Sequence, residues 1–462
     1  MDDLIAKGAV EVTGLLARGE VAQAELLAAL EARIAAVEPA VNALPTLCFE
    51  RARRARAVAP LHGLPVAIKD LTPTAGVRTT YGSAIYADHV PDADGHLVER
   101  VEAAGGAIHA KSNTPEFGAG AQTFNAVFGP TRNPWNTALT PAGSSGGAAV
   151  ALKTGMAWLA HGSDLGGSLR NPASFCGVVG LRPAPGRVPR GPSADPWGSL
   201  SVDGPMARSV ADVALFLDAL SGVDGREGLS LAAPETPFLA AAQAPRLPRR
   251  VAFSPDLGGL TPVDPEVAAI CAAAARRLEG LGVEVEDASP DFSGAHETFQ
   301  TLRALGFAAG HAGHLRAHRD KLKGSVVWNI EKGLELTGEE VGRALRHRGV
   351  LMGRMRAFME GYDLLLSPAT IVPPFPVEQE HVTECAGVTF DTYIDWLAIA
   401  YAITLTGHPA LSLPCGFTAA GLPVGLQMVG GWQGEAALLS AAAALEADLG
   451  LDARPIDPRG PV

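Results

Sequence analysis

Between Ser144 and Ser168 the chain has room for one short helix and one strand, and each serine sits in a glycine-rich loop. The loops are Ala142-Gly143-Ser144-Ser145-Gly146-Gly147 and Ser163-Asp164-Leu165-Gly166-Gly167-Ser168. A helix packed back on a strand would bring the two hydroxyls together, so the spacing asks for layered α/β packing. A third segment, Leu64-Pro65-Val66-Ala67-Ile68-Lys69-Asp70, precedes both loops and reads as an apolar strand ending in a lysine.

The rest of the chain extends this alternation. Residues 1 to about 60 carry alanine-rich amphipathic helical patterns. Strands are expected at 64–68, 107–111 and 156–161, with helices at 97–104 and 146–154 between them. Residues 183–205 are rich in proline, glycine and arginine and read as a surface loop. Ser209 is placed to cap a helix over 210–220, and Asp264-Pro265 opens another that runs to about Gly280. Residues 230–250 read as a connector, 283–285 as a strand and 290–360 as helical. Strands resume at 364–366, 410–413 and 424–429, before a closing helix over 435–449.

The expected fold is therefore α/β, with a mixed central β-sheet surrounded by helices. One sheet completed by late strands implies a single domain over 1–462. Within it, 1–60 is an N-terminal helical segment and 61–222 is the core that carries the loops.

Charge narrows the partners. A formal net charge of −12 argues against a broad phosphate-binding face, so no nucleic acid is expected. Arg51 to Arg56 reads as a solvated helix face. The five cysteines, Cys48, Cys176, Cys271, Cys385 and Cys415, are scattered without a CxxC pair. Neither a disulfide framework nor a zinc knuckle is indicated, and a reducing compartment is expected. No basic leader precedes an apolar stretch, and no apolar run approaches the ~20 residues a membrane span needs. The reading is a cytoplasmic protein with no membrane partner.

Lys69 and Asp70 point to opposite faces of a strand, so Asp70 need not neutralise the amine. Apolar neighbours desolvate Lys69, and burial lowers a lysine from its usual ~10.4. At roughly 7–8 it would serve as a general base. The plain alternative is a lysine that snorkels to the surface at a strand end.

In the second loop, two glycines allow a tight turn with exposed N–H groups. A helix starting near Ser168 would aim those groups at one point, as an oxyanion hole whose single donors are each worth ~3 kcal/mol of barrier. A phosphate cradle is the competing reading, but Gly-Ser-Leu-Arg stands where a P-loop needs Gly-Lys-Ser/Thr. Gly143-Ser144-Ser145-Gly146-Gly147 also fits G-x-S-x-G, which would make Ser145 a nucleophile elbow. That motif needs a strand immediately before it, and residues 133–141 contain two prolines.

Taken in order and spacing, the strand lysine, the Gly-Ser-Ser-Gly-Gly loop and the Asp-x-Gly-Gly-Ser loop resemble the amidase signature family. The resemblance continues through Phe175–Pro183 and Gly204–Arg208, and returns at Leu405–Ala410 and Gly421–Gln427. It covers most of the chain, with 225–360 the least characteristic part. It implies Ser168 as nucleophile, Ser144 as bridging serine after a cis Gly143–Ser144 bond, and Lys69 as base. The oxyanion donors it implies are the backbone N–H groups of Leu165, Gly166, Gly167 and Ser168. Asp164, Ser145 and Arg170 would be supporting residues. Leu165 departs from the threonine or isoleucine of many members, at a position where only the backbone is needed.

The function expected from this resemblance is hydrolysis of a carboxamide through a Ser168 acyl-enzyme, releasing ammonia or an amine. A small-molecule amide is the partner, no cofactor or metal is called for, and a homodimer is left open. The alternative within the family is the glutamine-hydrolysing subunit of a tRNA-dependent amidotransferase. An inactive scaffold is disfavoured because all three positions are filled. Residues 290–400 are expected to build the variable part of the substrate pocket, with Phe307, Trp328, Tyr393 and Trp396 as aromatic candidates.

Two other signals compete. His311, His314 and His318 lie at helical spacing, but without the carboxylate or cysteine a metal site usually adds. His161 with Asp164 and Ser168 could be assembled into a Ser-His-Asp triad, yet a histidine on a buried strand is more often structural.

Overall fold

The computed structural model describes residues 2–460. Its main sheet draws strands from nearly the whole chain. These are β1 (Thr46–Leu47), β2 (Pro65–Lys69), β3 (Ala107–Ser112), β4 (Leu159–Asp164), β5 (Val179–Arg182), β6 (Val202–Ala207), β7 (Arg250–Phe253), β8 (Glu284–Asp287) and β9 (Leu364–Pro368). A separate two-stranded hairpin holds β10 (Glu384–Cys385) and β11 (Val388–Thr389), and β12 (Ala410–Phe417) and β13 (Pro423–Gly430) complete the main sheet.

The order across the eleven-stranded sheet is β1-β3-β2-β4-β6-β5-β12-β13-β9-β7-β8. Parallel ladders join β3, β2 and β4 on one side and β8, β7 and β9 on the other, while the middle is antiparallel. The mixed α/β sheet wrapped in helices is the fold the sequence implied. Every residue of β2 is buried, which fits a central parallel strand covered on both faces. β12 and β13 enter the middle of the sheet, not its edge.

Local signals acted where expected. Ser209 Oγ accepts from Asp212 N at 3.2 Å and starts the helix Val210–Leu220. Asp264 Oδ1 accepts from Glu266 N and Val267 N, with Pro265 in the first turn of Pro265–Gly280.

Two expectations shift. The strand sought at 156–161 is β4, displaced toward polar residues, because His161, Ser163 and Asp164 find partners on other elements. The loop sought over 183–205 ends early, since β6 starts at Val202 and pairs with β4 despite Gly204 and Pro205.

Residues 290–360 form three helices, Ala295–His318, Gly324–Glu335 and Gly338–Met359. On the first, Phe299, Arg303 and Phe307 recur every fourth residue, so they share one face. That face borders the cavity at the carboxyl ends of β2 and β4.

Candidate active site

Parallel register places β2 beside β4, with Val66 opposite Leu159 and Ala67 opposite Ala160. Lys69, at the end of β2, therefore lies next to the end of β4. Its side chain has no exposed surface. Nζ lies 2.6 Å from Ser144 Oγ, 2.9 Å from Ser145 Oγ and 3.1 Å from Ser163 Oγ. Burial lowers the amine to about 7, against an opposing pull from the carboxylates of Asp203 and Asp164. A neutral amine has one lone pair, and the nearest hydroxyl to fill it is that of Ser144. Asp70 turns away, as alternation requires: its Oδ2 accepts from Thr80 N and Oγ1, and its Oδ1 lies 3.8 Å from Lys111 Nζ.

The first loop leads into the helix Gly146–Lys153. The Gly143–Ser144 peptide bond is cis. Ser144 and Ser145 are both buried. Besides meeting Lys69, Ser145 Oγ accepts from Ser163 N and donates to Ser163 O, both at 3.3 Å, and its own N–H donates to Ser168 O. Ser145 thus ties the two loops together. No strand immediately precedes this loop, so the elbow context is missing.

The second loop turns around a carboxylate. Asp164 is fully buried, and Arg170 Nε donates to its Oδ2 at 3.0 Å while Nη2 donates to Oδ1 at 2.9 Å. Burial pushes this carboxyl up, but the Arg170 and Arg182 guanidiniums outweigh it and hold it well below the usual range. Leu169 N donates to Oδ2 at 3.1 Å and Gly167 N to Oδ1 at 2.9 Å. Gly167 has φ +109°, and a Cβ there would lie 2.5 Å from Asn171 Oδ1 and 2.7 Å from Ala400 Cβ, so only glycine fits.

Of the four amides expected to face an oxyanion, that of Gly167 is thus engaged with Asp164. Those of Leu165, Gly166 and Ser168 have no acceptor among the described residues. These three residues, with Ser144 and Ser163, line a cavity of about 90 Å³. Ser168 Oγ has no hydrogen-bond partner among the described residues, and the Ser144 Oγ contact given is to Lys69 Nζ.

Arg170 is held from the far end of the chain. Its Nη1 donates to Ala400 O at 2.8 Å and Gln427 Oε1 at 2.6 Å, and its Nη2 to Thr404 Oγ1 at 3.1 Å. Gln427 is fixed in turn by donating to Ser367 Oγ and Ile399 O. Sequence reasoning gave no role to Ser163, Arg182 or Gln427. Ser163 stands in the second loop itself, Arg182 within Phe175–Pro183 and Gln427 at the end of Gly421–Gln427, so each lies inside a stretch with a local signal.

His161 is occupied elsewhere. Nδ1 accepts from Lys69 N at 3.4 Å, so the ring proton sits on Nε2 and meets Asp203 Oδ1 at 2.8 Å. A triad with Ser168 is not formed. The cavity wall is completed by Phe117, Phe299, Arg303, Phe307 and Leu397. Of the four aromatic candidates only Phe307 lines it. Trp396 is buried against Phe375, and Trp328 packs edge-on to Tyr393 behind Arg303. His311 and His314 pack on Phe117 just outside, and Tyr86 Oη meets His314 Nε2 at 2.8 Å. Among the described residues no group of three or more histidine, cysteine or acidic side chains is placed to hold a metal, and no helix is long and apolar enough to cross a membrane.

The sequence model of the family described as Amidase matches residues 25–439. The chain is 36% identical to an acylamidase of Rhodococcus erythropolis, over 95% of this chain and 94% of that protein. It is 37% identical to a glutamyl-tRNA(Gln) amidotransferase subunit of Moorella thermoacetica, over 94% and 95% respectively. The structure of 6-aminohexanoate cyclic dimer hydrolase complexed with substrate is similar at a TM-score of 0.90 and 30% identity, covering 98% of this chain and 99% of that one.

Proposed function

The chain belongs to the amidase signature family and is a hydrolase of amide C–N bonds, and on that footing we propose that Ser168, Ser144 and Lys69 carry the reaction. The observation that bears most weight is the 2.6 Å contact between Lys69 Nζ and Ser144 Oγ, made by an amine that burial brings to about 7. Neutral Lys69 takes the Ser144 proton as Ser144 takes that of Ser168. Ser168 Oγ attacks the amide carbonyl, and the unengaged amides of Leu165, Gly166 and Ser168 receive the oxyanion. Gly167, whose amide serves Asp164, acts by shaping the loop. Ser144 then protonates the leaving nitrogen, and water repeats the relay on the acyl-enzyme to release the acid. Asp164, Arg170 and Ser145 position the loops.

Strands from both ends of the chain share one sheet, which supports reading 1–462 as one domain. Five free thiols support a reducing, cytoplasmic setting. The experiment is a screen over a panel of amides with Ser168→Ala as control, read together with intact mass. An acyl adduct on Ser168 and loss of turnover in the variant are expected; turnover that persists in Ser168→Ala sinks the mechanism.

A second reading has one observation in its favour, the match to the Moorella amidotransferase protein over nearly the full length of both chains. In that case the chain would hydrolyse glutamine and act with a partner. Steady turnover of simple amides by the isolated chain, with glutamine left untouched, would exclude it.

A further inference from the structure

Five arginines are buried among the described residues: Arg170, Arg182, Arg187, Arg208 and Arg303. Arg170 and Arg182 share Asp164, and Arg187 meets Glu435. Arg208 donates to the carbonyls of Ile5, Lys7 and Ala157. Arg303 has neither kind of partner. It is 5% exposed, and among the described residues it makes no ion pair and donates one hydrogen bond, from Nη1 to the neutral Asn329 Oδ1. Aromatic faces take part of its charge, with the guanidinium 4.6 Å from the Phe307 ring centroid and 5.5 Å from that of Tyr393.

A guanidinium carries five N–H donors in a planar fork, and burying it without an acceptor is costly. The Nε and Nη2 groups of Arg303 have no acceptor among the described residues. They are not sealed in, whereas Nε and Nη2 of Arg182 are. Arg303 also lines the same cavity as Ser144 and Ser168. The nearby carboxylates are committed: Asp395 accepts from Gln300 Nε2 and Thr392 N, and Glu116 from Ser83 Oγ and Lys323 N. Water fills that role in the free protein, and a substrate group entering the cavity can replace it.

We propose that Arg303 selects amide substrates that carry a carboxylate, received by its free fork, at the end of an apolar spacer that packs against Phe299 and Phe307. This rests on the Ser168 reading for the position of the scissile bond. The carboxylate sits either on the acyl side or on the amine side of that bond. A planar fork matches a carboxylate in two parallel hydrogen bonds, which a lysine in the same place would not. Arg303 is a binding residue and takes no part in the proton relay.

The test compares length-matched pairs. Adipamic acid against hexanamide probes the acyl side, and N-hexanoyl-β-alanine against N-propylhexanamide the amine side. In wild type, one carboxylate member should exceed its neutral partner in kcat/KM by about 10–100-fold. Arg303→Gln should collapse that ratio, chiefly through KM, and Arg303→Lys should restore part of it. Absence of preference in both wild-type pairs, or a ratio that survives Arg303→Gln, overturns the proposal. Should the glutamine variant not fold, wild-type inhibition decides: adipate should compete at least ~10-fold better than 1,6-hexanediol, and equal potency overturns the proposal. Calorimetry of adipamic acid with Ser168→Ala separates the two readings, because binding without turnover leaves both standing. Turnover by that variant removes Ser168 as nucleophile, while the carboxylate preference is still judged by the ratio.

Discussion

Gly167 donates its backbone N–H to Oδ1 of Asp164 at 2.9 Å, so the carboxylate at the start of the loop holds the turn near its end. With Arg170 bonded to both oxygens of the same group, the loop's shape is fixed by a charge that never meets the cavity. Asp164→Asn keeps the size but turns an N–H₂ toward the Arg170 fork or a backbone N–H. A loss of about 3–5 kcal/mol is expected, the cost of breaking a buried pair, together with most of the activity. Denaturant unfolding measures it, and a variant within 1 kcal/mol of wild type would show that Asp164 does not hold the loop (about that much being ordinary for a point change).

Adjacent glycines should behave differently. Gly167→Ala meets Asn171 and Ala400 inside 3 Å at positive φ, whereas a Cβ at Gly166 comes no closer than 3.2 Å to Phe299 at the cavity wall. Gly167→Ala is expected to lose both stability and turnover. Gly166→Ala should keep its melting temperature and change only which substrates enter. Equal melting losses in the two variants would contradict this.

On the proposed mechanism the amine of Lys69 sets a pH limb. Because the base must be neutral, kcat/KM should climb with pH through about 7 and level off above it. Lys69→Arg, which stays charged, should lose about 10²–10⁴-fold. The same shift enters stability with a definite sign. Between about 7 and the usual 10.5 the unfolded chain holds a proton on Lys69 that the folded chain has released. Stability therefore gains from this group as pH rises across that window. Comparing unfolding of wild type and Lys69→Met at both ends of the window isolates that gain, and a difference that does not change with pH would refute the lowered value.

Ser144 and Ser145 are neighbours with different duties. Ser144→Ala should cost about 10²–10⁴-fold in kcat as a lost proton relay, and Ser145→Ala distinctly less, since Ser145 links Lys69 to the backbone of Ser163. Steady-state kinetics on one good amide decides. A larger loss at Ser145 would return the elbow reading to favour.

Much of this site was written locally. Lys69, Ser144 and Ser168 stand in short motifs whose glycines and apolar neighbours signal their surroundings, and Ser209 or Asp264 with Pro265 mark helix starts by capping chemistry alone. What stayed hidden depends on partners far along the chain. β4 was sought three residues early because its polar end is satisfied by Lys69, by Asp203 on β6 and by Arg170. β6 was masked by Gly204 and Pro205. Arg303 carries no such signal: Phe299, Arg303 and Phe307 repeat every fourth residue, but nothing nearby in sequence says that a cavity lies opposite that stripe.

The insertion of β12 and β13 into the middle of the sheet has a consequence for biosynthesis. Arg170 reaches its final geometry only against Ala400, Thr404 and Gln427, and β5 has no neighbour on one side until β12 arrives. A ribosome-bound chain that already displays both serine loops therefore lacks the brace behind the Asp164 turn until residue 427 has emerged. A chain truncated before residue 427 would lack that brace, and the long sequence separations place this fold among the slower ones to assemble.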